Sequence, residues 1–201
     1  MSRHVSPTLA RQDEIVALQE FAAELVEALR REDIPSGLRR ESELEQKFLI
    51  PAAVRVASRH TDVLMYTHPF GSRLRCTPTC ANGPPAGRGR VVGCWKCWKD
   101  SKVWAAVPAL GSHHTFDLVA KDRSRSLALE LKVANAHKGR LPSGDIQRFL
   151  GQCSLAAARH HAVIGLVAFR GSVDEDGHHE TERVAKWFQE RNVTLLLRPI
   201  R

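Results

Sequence analysis

The sequence has no apolar run long enough to cross a bilayer as a helix, and its opening stretch "MSRHVSPTLARQDE" lacks the apolar centre of a secretion signal. No membrane partner is therefore expected, and a reducing cytoplasm is the expected setting. There is no internal repeat, which argues against a solenoid or propeller. Aromatic residues are scarce at 6%, yet all four tryptophans fall within 95–187 and three within 95–104, so this stretch differs from the rest of the chain. Cysteine is limited to five residues, which in a reducing compartment are thiols or metal ligands before they are disulfides. What is present is a 43% hydrophobic fraction over 201 residues, enough for one α/β domain with an elaboration. Thirty lysines and arginines against 22 acids leave a net charge of +8. Such an excess favours a polyanionic partner, with nucleic acid ahead of an anionic membrane surface.

Apolar residues recur at helical spacing over 8–31 (Ile15, Leu18, Phe21, Leu25, Leu29), predicting a long amphipathic helix before "DIPSG". Its stripe suits a core, with a homodimer seam as the alternative. "SELE" places Ser42 three residues before Glu45, a capping-box pattern that opens a second helix running through Phe48 and Leu49. Pro51 ends that helix, kinks it, or opens a continuation. "DVLMY" reads as a short strand, and "HTFDLVA" and "SLALELKVAN" as two more. A helix is expected over 145–159 with Ile146, Phe149, Leu150, Leu155 and Ala158 inward, followed by the buried strand "AVIGLVAF". A loop "GSVDEDGHHE", a helix "ETERVAKWFQER" and a last strand "VTLLLRPI" complete the order. This predicts an α/β fold with a mixed central sheet flanked by helices. Residues 1–40 form an N-terminal helical extension, and 41–201 the main domain with 71–102 inserted.

The insert is rich in Gly, Pro and Arg and has no periodicity. It carries Cys76 and Cys80 in "CTPTC", then Cys94 and Cys97 in "CWKC". Two close thiolate pairs complete the tetrahedron Zn²⁺ prefers, and metal binding would supply folding energy that this composition cannot. A structural zinc is expected, with an iron–sulfur cluster as the alternative. Arg88, Arg90, Lys96 and Lys99 interleave with Trp95 and Trp98. Cations for phosphates beside aromatics for bases suit a nucleic-acid-binding knuckle; alternatively, the tryptophans pack over the metal and the cations keep a loop soluble. His113 and His114 are further possible ligands, and Cys153 reads as a buried helix thiol.

In "SLALELKVAN", Leu127, Leu129, Leu131 and Val133 make one face and Ala128, Glu130, Lys132 and Ala134 the other. Glu130 and Lys132 form either a solvated pair or part of a site. A hairpin at "DRSR" lays Asp117 near Glu130. Two converging carboxylates need a cation between them, and Mg²⁺ (or Mn²⁺) suits a site with few protein oxygens and several waters. Small residues at 128 and 134 would leave room for a phosphodiester backbone.

Asp117, the "ELK" of Glu130, Leu131 and Lys132, and the order of elements over 41–200 resemble the PD-(D/E)XK nuclease superfamily, the restriction-endonuclease-like fold. The resemblance implies Mg²⁺ held by Asp117, Glu130 and the Leu131 carbonyl, with Lys132 acting on the attacking water. A helix glutamate is implied at Glu45, with Glu41 and Glu43 as alternatives; for Glu45 the capping role competes. A glutamine on the helix after the E-x-K strand is implied at Gln152, with Gln147 as the alternative. Phe116 stands where the family has proline, and Ala156 where a tyrosine often follows the glutamine. The implied activity is a metal-dependent nuclease acting on DNA before RNA, in restriction, defence or repair. The competing reading is a non-catalytic zinc-containing nucleic-acid-binding module.

Overall fold

The computed structural model describes residues 7–60, 63–67, 106–109, 112–122 and 124–200. The insert cysteines (Cys76, Cys80, Cys94, Cys97) and Arg88, Arg90, Trp95, Lys96, Trp98 and Lys99 lie outside the described residues, and with them the zinc staple and its surface.

The strands are β1 (Leu64–Thr67), β2 (Ala106–Ala109), β3 (Ser112–Thr115), β4 (Leu118–Lys121), β5 (Ser126–Asn135), β6 (Ala162–Arg170) and β7 (Val193–Pro199). Five of them form one mixed sheet in the order β1-β4-β5-β6-β7, while β2 and β3 pair as a separate hairpin. β1, β4 and β5 are antiparallel neighbours; β6 and β7 run parallel to β5. Parallel neighbours need long crossovers. α4 (Ser143–Ala157) supplies one between β5 and β6, and α5 (Glu175–Gln189) the other between β6 and β7. β6 is buried at seven consecutive positions, as a central strand covered on both faces must be. The result is an α/β fold with helices on both faces of a mixed sheet.

On one face, Leu118, Leu127, Leu129, Leu131 and Leu166 join a core shared with α1 (Pro7–Arg31), where Leu18, Phe21, Leu25 and Leu29 are at most 3% exposed. The helix at 7–31 is thus built into the main core rather than appended to it, and these four side chains are occupied within the chain. Arg198 of β7 reinforces this by donating to the carbonyls of Leu29 and Glu32, which end a helix and lack partners along it. On the other face, Val119, Ala128, Val163 and Val167 pack with Phe149, Cys153 and Ala156 of α4 and Phe188 of α5. On α4, Ile146, Phe149 and Leu150 face inward with the expected buried Cys153, while Leu155 and Ala158, also expected inward, are exposed.

The second helix starts as α2 (Glu41–Leu44), widens into a π-helical turn over Glu45–Leu49, and continues as α3 (Ile50–Ala57). Ile50 N–H reaches back five residues to the Glu45 carbonyl. Pro51 has no N–H to give, so the regular ladder must break beside it, and the break takes the form of this wide turn. α5 also begins earlier than expected. "DGHHE" is helical, because Asp174 caps the helix by accepting from Gly177 N–H at 2.8 Å.

"HTFDLVA" is not one strand. The chain bends at Phe116 and Asp117 between β3 and β4. Phe116 packs on the α4 face and Leu118 on the opposite one, although residues two apart in a strand share a face. His160 holds this bend. Its ring meets Phe116 edge-on at 5.3 Å, and its Nδ1 lies 2.9 Å from Ser126 Oγ. Burial, then the charges of Arg159 and His161, pushes His160 down to about 4 from 6.5. A histidine buried neutral stabilises the fold fully above its unfolded value, and that stability is lost as pH falls through the folded one. Between pH 6.5 and 4 the native state should accordingly lose about 3 kcal/mol that a His160→Gln variant does not lose. Denaturant melts of both proteins across that window check this; parallel pH profiles would count against it.

Candidate active site

The antiparallel register pairs Leu118 with Leu129, which brings Asp117, one residue earlier, level with Glu130. Because β4 does not extend past Leu118, the Leu131 N–H on its side has no strand partner there. Asp117 takes that place: its Oδ2 accepts from Leu131 N–H at 2.7 Å. The N–H and C=O of one strand residue point to the same neighbour, so the Leu131 carbonyl is also directed to the Asp117 side.

Glu130 is only 5% exposed, which excludes the reading of its strand face as solvated. Its ladder partner on β6 is Gly165. A Cβ there would lie 2.7 Å from Leu195 Cδ2, 2.8 Å from Phe149 Cζ and 3.0 Å from Cys153 Sγ. The missing side chain lets α4 settle closely over Glu130. Burial, then the Glu130 charge, pushes the Cys153 thiol up, so it stays protonated beside the carboxylate. Ala128 and Ala134 are buried in the same layer. Their small size serves packing beneath the helices, not passage of a nucleic-acid backbone, and that expectation is corrected.

Lys132 reaches the mouth of this layer and is held from both sides. Its Nζ lies 3.0 Å from Glu41 Oε1 and 3.7 Å from Asp145 Oδ1. Glu41 opens α2 and Asp145 sits in the first turn of α4, so one cation ties together helices from the two faces of the sheet. Sequence reasoning missed Asp145. The available signal was an acid in the first turn of the helix that follows the E-x-K strand.

The three helix glutamates separate by role. Glu43, not Glu45, does the capping: its Oε2 accepts from the backbone N–H groups of Arg39 at 2.7 Å and Arg40 at 3.2 Å. These bonds, the Arg39 one foremost, hold the Glu43 carboxyl below its ordinary value. The expected Ser42–Glu45 box is thereby corrected, because the helix begins one residue before Ser42. Glu45 is buried in the π turn. Glu41, four residues earlier, lies on nearly the same helix face.

Gln152 is half-buried beside Cys153, and Gln147 lines a cavity of about 370 Å³ between α4 and α5. Val167, which also lines that cavity, is the ladder partner of Lys132. Among the described residues no group of three or more His, Cys, Asp or Glu side chains is placed to hold a metal ion. Two carboxylates and a main-chain carbonyl are hard oxygen donors of the kind Mg²⁺ takes while keeping several waters, so the donor set fits that ion. No family model, curated protein or solved structure matches the chain. Among the described residues no helix is long and apolar enough to cross a membrane.

Gly165→Ala should destabilise the protein by about 1–3 kcal/mol, since Leu195, Phe149 and Cys153 are all crowded by the new methyl. Cys153→Ala added to it should recover part of the loss. Equal melting midpoints for wild type and Gly165→Ala would show that α4 does not depend on this approach.

Proposed function

We propose that the chain is a Mg²⁺-dependent phosphodiesterase of the PD-(D/E)XK type, acting on DNA in preference to RNA. The observation that carries this reading is the hydrogen bond that sets Asp117 against the backbone between Glu130 and Lys132, with both of those side chains drawn out of bulk solvent. A salt bridge serving only solubility needs neither the burial nor the aspartate. The antiparallel run β1-β4-β5, with β6 added in parallel through a crossover helix, supports a restriction-endonuclease-like core.

In this reading Asp117, Glu130 and the Leu131 carbonyl hold the metal, with Glu45 on the helix side. Bound there, Mg²⁺ lowers the pKa of a water and offsets charge on the phosphodiester. Lys132 orients the attacking water and faces the scissile phosphate. Glu41 and Asp145 keep its ammonium at the mouth of the site until the substrate phosphate competes for it. Cys153, kept protonated, adds no charge beside Glu130. The basic balance of the chain favours approach of a polyanion.

The test is cleavage of linear, circular and single-stranded DNA and of RNA, in Mg²⁺, Mn²⁺ or EDTA. Lys132→Ala and Asp117→Asn should each lower the metal-dependent rate by at least about 100-fold. Glu45→Gln should cut it strongly while Glu43→Gln leaves it near wild type. Tight binding of nucleic acid with no cleavage of any substrate would replace this reading with that of a non-catalytic binding module.

A further inference from the structure

Just beyond β5 the chain makes a tight turn of His137, Lys138, Gly139 and Arg140. His137 and Arg140 exchange backbone bonds of 2.8 and 3.1 Å, and the two central residues have φ of +50° and +77°. Positive φ at both centres defines the primed turn in which Asn-Gly is the favoured pair. Gly139 is required there, since a Cβ would lie 2.4 Å from Asp174 Oδ2. Lys138 is not required. A lysine in left-handed backbone is disfavoured by roughly 1 kcal/mol, and asparagine tolerates the same conformation better. The turn is nevertheless fixed in place, because Asp174 N–H donates to the Gly139 carbonyl at 2.9 Å.

His137, Lys138 and Arg140 are all exposed, and among the described residues none of them makes an ion pair. Acidic groups do lie nearby. Asp174 is engaged in capping α5, Glu175 and Asp176 follow on its exposed first turn, and Asp145 faces Lys132. The turn joins the strand that carries Glu130 and Lys132 to the helix that carries Asp145. It stands roughly 15 Å past Lys132 along the strand direction, a span of a few nucleotides of backbone.

We infer that this turn grips the phosphodiester backbone of the nucleic acid to one side of the scissile bond, with Lys138 and Arg140 as the phosphate contacts. A strained position that holds a cation where a neutral residue would be more stable is explained by a ligand that the cation meets. The inference rests on the nuclease reading for the position of the scissile bond, and on the turn itself for the contact.

The test uses the full chain with a labelled DNA duplex in EDTA, so that binding is read without turnover, over a series of salt concentrations. Lys138→Asn should melt at the same temperature as wild type or higher. It should bind roughly five- to tenfold more weakly, with the slope of log affinity against log salt shallower by about one. Arg140→Gln should behave alike in affinity and slope. If wild type cleaves DNA in Mg²⁺ but both variants keep its affinity and slope, the turn is not the contact, while the nuclease reading stands. If the variants bind as expected but no metal supports cleavage by wild type, the nuclease reading falls and the contact stands. Absence of DNA binding by wild type overturns the inference.

Discussion

One hydrogen bond organises the site: Asp117 Oδ2 accepting from Leu131 N–H. It exists because β4 stops short and the chain bends at Phe116 and Asp117, which leaves a donor on β5 unmatched. A buried sheet donor without a partner costs about 1–3 kcal/mol, so the aspartate is held by the same requirement that holds the sheet together. The bend is braced in turn by the edge-on contact of Phe116 with His160, and by His160 with Ser126 at the start of β5. The carboxylate therefore reaches the Glu130–Lys132 backbone from a position set by the fold.

The surroundings of Glu130 and Lys132 follow from how the helices close over the sheet. Gly165 admits α4 to the layer above Glu130, and the first turn of α4 then brings Asp145 within reach of Lys132. From the opposite face α2 brings Glu41. A carboxylate drawn this far out of water is costly unless it gains partners, and Glu130 does not stand alone. Lys132, less deeply placed, keeps contact with solvent while bridging two helices. The result is a deep carboxylate beside a shallower, tethered ammonium at the sheet margin.

Much of this was legible in the sequence. The alternation in "SLALELKVAN" set Glu130 and Lys132 on one face, and the element order anticipated a mixed sheet flanked by helices. What was not legible depends on tertiary closeness. Ser42 and Glu45 have capping-box spacing, but the helix starts at Glu41, so Glu43 meets the free amides. Alternation through Phe116 and Leu118 suggested an unbroken strand, because a bend leaves no mark on a pattern of side-chain polarity. Ala128 and Ala134 looked like open floor, and only the position of α4 and its neighbours shows that they are covered. Asp145 lies thirteen residues beyond Lys132 and meets it only through the crossover.

The most direct test of the central claim is where a divalent ion binds. Manganese titrated into isotopically labelled protein should broaden the backbone amide resonances of Glu130, Leu131 and Lys132 first, together with those around Asp117. Asp117→Asn should weaken that broadening while leaving the rest of the spectrum in place. Broadening that begins elsewhere in the chain and spares β5, or that is unchanged in Asp117→Asn, would contradict a metal site built on Asp117 and Glu130.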